Sequence, residues 1–232
     1  WAFKIAILLL GLSAAFLGRW VEKVGPKVSG TTAGIFYGVG ILGSGLAVQL
    51  ESLWLFYLCY GVIGGIGLGL GYITPVSTLV KWFPDRRGLA TGMAIMGFGF
   101  AALIFGPVMQ SLFDSVGVAN AFYVLGLIYM VLILSSARYI ERPPEDYLPE
   151  GFKPGEGKTI KADMANIDAN ASLKTKRFYF MWIMMFINIS CGIAIISAAS
   201  PMMQEKLNYT PMQAAAIVGF IGVFNGLGRL AW

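Results

Sequence analysis

The chain has 232 residues, of which 57% are hydrophobic and only 12% are charged. Soluble globular domains carry about twice that charged fraction, so the composition excludes an ordinary soluble domain and favours a membrane protein. The chain has a net charge of +5, no histidine, and two cysteines that lie far apart in apolar runs. These features argue against a zinc centre, histidine-based catalysis and a disulfide framework.

Seven apolar runs are long enough to cross about 30 Å of hydrocarbon. Because backbone polar groups inside a bilayer must satisfy one another, these runs are predicted to be helices. They cover residues 1–17, 31–48, 53–80, 88–112, 119–137, 178–202 and 211–232. The first run begins without methionine or a basic leader, and the last one has no helix-ending signal. We therefore expect the chain to be part of a longer membrane protein.

Basic residues concentrate in the loops on one side of this alternating path. Fourteen lysines and arginines lie at 19–27, 81–87 and 138–177, against one lysine, Lys206, in the loops of the other side. The positive-inside rule predicts that the basic loops face the cytoplasm. We expect a multi-pass protein of a plasma membrane, with a bacterial inner membrane favoured. Membrane orientation explains the net charge without a nucleic-acid partner.

The loop after the fifth run is much longer than the others and is rich in proline, glycine and charge. Such a composition is typical of a linker. We therefore predict an N-terminal bundle over residues 1–140, a cytoplasmic linker over 141–177 and the start of a second bundle over 178–232. A weak echo between GLSAAFLG (11–18) and GLGRLAW (226–232) supports two related halves, and it aligns Ala14 with Arg229.

Two stretches resemble a known family. GRWVEKVGPK is similar to the loop signature G-x-x-x-D-x-x-G-x-[RK] of the major facilitator superfamily, with matches at Gly18, Gly25 and Lys27 and with Glu22 in the aspartate position. Residues 64–107 look more specifically like the oxalate:formate antiporter branch, which is related to the monocarboxylate transporters. The resemblance implies an all-α membrane protein, a bundle of twelve helices of which this chain would supply helices two to eight.

The resemblance also implies a function. It indicates a secondary carrier that moves small organic anions such as oxalate, formate or lactate by alternating access, and that is not an enzyme. In this family an arginine on the eighth helix pairs with the substrate carboxylate, and Arg229 falls at that place. Asn225, one turn earlier, stands where monocarboxylate transporters carry an acid. Antiport is therefore favoured, and proton-coupled symport stays open.

Arg229 has a physical case of its own. A charged side chain at mid-span costs roughly 2.5–3.5 kcal/mol on insertion scales, and a carboxylate bound by the guanidinium fork compensates for that cost. The alternative is that Arg229 lies near the end of its helix and reaches the lipid headgroups. Tyr72 and Phe98 are predicted to line the same cavity, with plain packing between helices as the alternative for each.

Other residues are predicted to govern conformation. The superfamily resemblance implies a charge lock at the cytoplasmic side, formed by Gly18, Glu22, Gly25, Lys27, Arg86 and Arg87. The alternative is that the charged residues among them only orient the protein in the membrane. Gly65 and Gly69 have the spacing of close helix packing. The Gly106–Pro107 pair is predicted to bend its helix.

Two other classes of protein were weighed against a carrier. A seven-helix receptor matches the number of runs, but it would show an outside tail before its first helix. An intramembrane enzyme lacks its chemistry here, because the chain has no histidine and no paired carboxylates inside its spans. We expect no cofactor and no metal, and partners limited to a small carboxylate and the lipid bilayer, with a monomer favoured.

Overall fold

The computed structural model describes residues 1–144, 147 and 169–231, and for residues 98, 99, 169, 170 and 229–231 it describes the backbone alone. The chain forms helices α1 (Ala2–Val24), α2 (Pro26–Gln49), α3 (Leu53–Phe56), a π-helical segment (Tyr57–Gly64), α4 (Gly65–Trp82), α5 (Arg87–Val116), α6 (Val118–Tyr139), α7 (Ala169–Ser172), α8 (Lys176–Leu207) and α9 (Pro211–Ala231). The elements from Leu53 to Trp82 are continuous and form one span, called the third span below.

The predicted all-α membrane architecture is confirmed, because seven helices are long and apolar enough to cross a bilayer and the described residues contain no strand. The helices extend beyond the apolar runs, since their polar first and last turns also become helical. In α2, for example, Pro26 occupies the first turn, where its missing N–H has no intrahelical role. Hydroxyl groups of Ser29 and Thr31 donate to carbonyls of the preceding turn.

The third span lies between α1 and α2 and contacts both through glycines. On the α1 side, a Cβ added to Gly65 would lie 2.9 Å from the carbonyl oxygen of Ala6, and one at Gly69 would lie 2.6 Å from that of Leu10. On the α2 side, a Cβ at Gly40 would lie 2.6 Å from the backbone nitrogen of Gly64. In lipid, where helices gain little by hydrophobic burial, such close approach supplies the packing energy.

A hydrogen bond joins α2, near its start, to α4. The hydroxyl of Thr74 donates to the hydroxyl oxygen of Ser29 at 3.0 Å, and both side chains are fully buried. Each hydroxyl also has a carbonyl of its own helix within hydrogen-bond distance, so this bond adds to the contact of the two helices and is not the sole partner of either group.

Helices α5 and α9 form the contact that joins the parts of the chain before and after the linker. They run antiparallel, and α5 packs more extensively on α9 than on α4 or α6. A Cβ at Gly219 would lie 2.8 Å from Cα of Leu103, and one at Gly106 would lie 3.5 Å from the carbonyl oxygen of Ala215. Pro107 lies inside α5; the bend that it is predicted to cause stays a prediction, as does the division of the chain at residues 140 and 178.

Helix α9 begins with a capping box. The backbone N–H of Gln213 donates to Thr210 Oγ1 at 3.3 Å, and Gln213 Oε1 accepts from the N–H of Thr210 at 3.0 Å. Pro211 follows in the first turn. The turn from α8 into α9 contains Asn208 in the left-handed conformation, with φ at 54°. This local chemistry places the start of α9 beside the end of α8.

Gly65→Ala is expected to destabilise the protein by about 1–3 kcal/mol, the usual cost of overpacking, because the new methyl group would meet the backbone of α1. Gly11→Ala is the matched control, since a Cβ there has nothing within 4 Å and alanine favours the helix. Thermal unfolding in detergent measures both variants. A Gly65→Ala protein as stable as Gly11→Ala would contradict the close contact.

Candidate functional site

The residues predicted to bind substrate on α9 lie opposite the first half of α5. A Cβ at Gly226 would lie 3.1 Å from Cγ of Met96, and the contact of Gly219 with Leu103 gives the same antiparallel register. In this register Asn225 is level with Phe98 to within one residue, and position 229 is level with Met93. The α5–α9 pair thus brings three of the four predicted positions to neighbouring levels.

Two of these predictions concern side chains outside the described part of the chain, those of Arg229 and Phe98. Position 229 is level with Met93, which lies six residues after Arg87, the first residue of α5. Along the helix axis this separation is about 9 Å. Asn225 is exposed on α9. Their roles in substrate binding stay predictions.

Tyr72 lies elsewhere in the bundle. It follows Gly65 by seven residues, which is two helical turns, so it lies on the face of α4 that packs against α1, and its side chain is partly buried. The register therefore groups Tyr72 with the α1–α4 contact and not with the α5–α9 pair. Its predicted role in lining the cavity stays a prediction.

Charged residues meet at the end of the bundle where the basic loops lie, which we call the basic end. Glu22, at the end of α1, forms an ion pair with Lys81 in the last turn of α4. Lys27, in the first turn of α2, forms an ion pair with Glu141, just after α6. Together with Arg142 these four residues are called the basic-end cluster. They come from four places in the chain: the end of α1, the start of α2, the end of α4 and the residues after α6.

Arg142 binds the end of α1. Its Nη2 atom donates to the carbonyl oxygen of Val21 at 3.2 Å and to that of Glu22. The last carbonyls of a helix have no partner within the helix, and the helix dipole is negative there. A guanidinium supplies both the N–H donors that these carbonyls need and a positive charge that the helix dipole attracts. The indole of Trp82 also donates to the carbonyl oxygen of Glu141 at 2.8 Å, so the residues after α6 are held against α1 and α4.

Gly25 makes the cluster possible, because it alone separates α1 from α2. Its φ of 91° is in a region that residues with a Cβ rarely adopt. A Cβ at this position would also lie 3.9 Å from the guanidinium carbon of Arg142. That distance is an ordinary contact, so the backbone conformation, and not the space beside Arg142, favours glycine where the chain reverses within one residue.

Lys27 stabilises the ionised form of the Glu141 carboxyl. The hydrogen bond from Lys27, followed by its positive charge, lowers the pKa of the Glu141 carboxyl below its ordinary value. The side chains of both ion pairs are about half exposed, so solvent screens the attraction between the charges. The cluster therefore positions segments more than it stabilises the fold.

The structure brings together only part of the predicted charge lock. Glu22, Gly25 and Lys27 meet at the cluster. Gly18 lies within α1, where a Cβ would approach Ile73 Cδ1 at 3.5 Å. Arg86 lies beside Asp85, with Nε 3.5 Å from the carboxylate, and Arg87 begins α5. The gating role of all six residues stays a prediction.

Sequence reasoning missed four participants, which are Lys81, Trp82, Glu141 and Arg142. Each of them follows or ends an apolar run, so its position at the basic end was visible in the sequence. Their pairing was not, because it depends on which helices are neighbours. Among the described side chains, no group of three or more metal-ligating residues is close enough to hold a metal ion.

Comparisons with known proteins identify relatives of this chain. A model of the Major Facilitator Superfamily matches residues 1–232. The chain is 29% identical over 232 residues to the uncharacterized MFS-type transporter YhjX of Escherichia coli strain K12, an alignment that covers 99% of the chain and 55% of the relative. It is 27% identical over 231 residues to the oxalate:formate antiporter of Oxalobacter formigenes, an alignment that covers 100% of the chain and 52% of the relative.

A third relative is monocarboxylate transporter 14 of Mus musculus, which is 24% identical over 156 residues, covering 66% of the chain and 30% of the relative. The resemblance seen in the sequence is therefore confirmed. The chain spans about half the length of the first two curated relatives.

The pairing of Glu141 predicts a dependence of stability on pH. Because its folded-state pKa is lowered, the pair contributes stability above the ordinary glutamate pKa of about 4.3, and this contribution is lost as the pH falls through the folded-state value. Glu141→Gln is expected to lower the Tm at neutral pH, and the difference from wild type should disappear in acid.

Unfolding curves from neutral pH to about pH 3 test this dependence. Glu51→Gln, which removes an exposed carboxylate at the other end of the bundle, is the control and should show no such convergence. A Glu141→Gln protein that stays less stable than wild type by a constant amount at every pH would contradict the ion pair.

Proposed function

The chain belongs to the major facilitator superfamily, and from this membership we propose that it forms part of a secondary carrier that exchanges small organic anions across a membrane. Its substrates would be mono- or dicarboxylates such as oxalate, formate or lactate. The observation that carries the proposal is an arginine inside α9, a helix that packs against α5. The names of the relatives, an oxalate:formate antiporter and a monocarboxylate transporter, support the same class of substrate.

Arg229 is the proposed substrate-binding residue. A guanidinium offers two parallel N–H donors that match a carboxylate, and this pairing is much stronger in a low-dielectric surrounding than in water. A substrate carboxylate would therefore offset the cost of the charge within the span. Asn225, one turn earlier on the same helix, and Phe98, level with it on α5, are proposed to contact the remainder of the substrate.

Alternating access would use the two parts of the chain as separate bodies. The basic-end cluster ties α1, α2, α4 and the residues after α6 together, so this half would move as one unit. Helix α9 would change its position against α5, whose contact surface contains small residues. The proposed orientation has the basic end in the cytoplasm, in agreement with the positive-inside rule.

Proton-coupled symport is the second candidate mode. The similarity to a monocarboxylate transporter favours it. The neutral side chain at position 225 weighs against it, because an amide does not exchange a proton in the physiological range. Exchange of one anion for another therefore remains the proposed mode.

Arg229→Gln is expected to lower uptake of labelled carboxylates by about 10- to 100-fold, since a hydrogen-bonded charge contributes about 1.5–3 kcal/mol. Arg229→Lys keeps the charge but loses the fork, so it should recover only part of the activity. The measurement is initial uptake of oxalate, formate, lactate and pyruvate into vesicles that contain the purified protein, with and without unlabelled anion inside.

Lys4→Gln is the matched control, because Lys4 is the other basic residue within the apolar runs and lies over the Trp1 ring at 4.8 Å. Its uptake should equal that of wild type. Uptake of every anion unchanged in both Arg229 variants would remove the assigned site. Uptake that needs a pH gradient and is indifferent to internal anion would replace antiport by proton symport.

A charge exchange tests the proposed role of the cluster in transport. Glu22→Lys and Lys81→Glu should each slow anion exchange, because each places like charges at the contact of α1 with α4. The double variant should restore the rate, with a coupling energy of about 0.2–1 kcal/mol in the cycle. The same double-mutant cycle measured on Tm shows whether the variants change the stability of the protein as well as the rate of anion exchange. Singles that exchange anions at the wild-type rate would exclude a role in gating.

A further inference from the structure

A groove separates the end of α4 from the start of α5, next to the basic-end cluster. It encloses about 340 Å³, within the range of roughly 300–1,000 Å³ that is usual for small-molecule sites. Its deeper wall is apolar and consists of Leu79 on α4 and Ala90 and Met93 on α5. Met93 and the nearby Leu89 are largely exposed, so this apolar surface is open in the described part of the chain.

Polarity changes along the length of the groove. At its mouth lie Asp85 and Arg86, in the turn between α4 and α5. The rings of Trp82 and Phe83 follow at the level of the last turn of α4. Met93 lies seven residues beyond Arg86, about 10 Å deeper along α5. This order, with charge outermost, then aromatic rings, then aliphatic side chains, is the order of groups at a membrane interface.

The charges at the mouth favour an anion. Arg86 contacts Asp85 through Nε at 3.5 Å, and its side chain is 72% exposed. A guanidinium has five N–H donors, and the described contact with Asp85 is made by Nε. The next residue, Arg87, is also exposed. Arg86 lines the groove and Arg87 does not, but two arginines against one carboxylate leave a net positive charge at the start of α5.

We propose that this groove binds one anionic phospholipid from the leaflet at the basic end. The phosphate lies beside Arg86 and Arg87, and one acyl chain lies along Leu79, Ala90 and Met93. Trp82 lies at the depth of the glycerol backbone. The site is distinct from the proposed anion-binding residue on α9, and its ligand is an amphiphile and not the transported carboxylate.

The other conceivable occupant is the chain itself. Tyr147 lines one rim of the groove, and its ring lies edge-on to Trp82 with 5.0 Å between centroids. A protein segment would fill the groove without regard to lipid headgroup, whereas a phospholipid site distinguishes headgroups. This difference separates the two occupants in an experiment.

The experiment measures quenching of tryptophan fluorescence by lipids with brominated acyl chains. A variant that keeps Trp82 as its only tryptophan is reconstituted in phosphatidylcholine vesicles that contain, at equal mole fraction, brominated phosphatidylglycerol or brominated phosphatidylcholine. The matched control keeps Trp182 alone, which is exposed on α8 six residues from the basic end of that helix. It reports lipid away from the groove, and the comparison is between the two brominated lipids at each tryptophan.

Trp82 is expected to be quenched more strongly by brominated phosphatidylglycerol than by brominated phosphatidylcholine, and Trp182 equally by both. Arg86→Gln should lower the preference at Trp82 by up to about 5-fold in lipid affinity, the contribution of one basic residue near an anionic lipid. Arg86→Lys should keep most of it. These two variants also show that the loss reflects charge and not misfolding.

Three results would overturn the proposal. Equal quenching of Trp82 by both lipids would mean that the groove makes no distinction between headgroups. A preference that persists unchanged in Arg86→Gln would remove the arginine from the site. Quenching of Trp82 by neither lipid, with Trp182 quenched normally, would show that protein fills the groove.

Discussion

Close approach of helix backbones is the constraint on which the rest of this structure depends. Helices in a bilayer gain little from apolar burial against one another, because lipid is as apolar as their side chains. Contact energy must come from dispersion over short distances, and only small residues permit such distances. Gly65 and Gly69 of α4 allow α1 to approach. Gly40 of α2 contacts Gly64 of the third span, and Gly219 of α9 contacts Leu103 of α5. The positions of the proposed site residues follow from these contacts.

The basic end has a different physical basis. Here the chain leaves the apolar region, and backbone groups at helix ends need partners. The structure supplies them with charges from remote segments, as when Arg142 donates to the last carbonyls of α1. Each ion pair is weak because it is half exposed, and it adds to the covalent link of α1 to α2 through Gly25 and to the packing of α4 against both helices. A weak but directional cluster is suited to holding segments in place while permitting rearrangement.

The sequence predicted the spans well because bilayer thickness and the cost of unpaired backbone groups determine them. It predicted the family from two stretches of the chain. It did not predict that Glu22 would meet Lys81 within the part of the chain before the linker, since that pairing depends on α1 and α4 running parallel as neighbours. Nor did it predict the α5–α9 contact. In spans that are apolar on every side, periodicity does not reveal which face is packed.

The register of α5 and α9 also bears on the proposed site. Along α9, small residues at 215, 219 and 226 meet α5, so the two helices can approach closely over most of their common length. Position 229 is three residues beyond Gly226, within 60° of the same helix face, and the residue there is long and charged. An arginine cannot continue a contact that requires small residues. Under the proposed function the close contact would end near this level, where a substrate carboxylate would meet the guanidinium. Tight packing and the proposed site would then follow one another along a single helix pair, and a change in the position of α9 against α5 would alter both together.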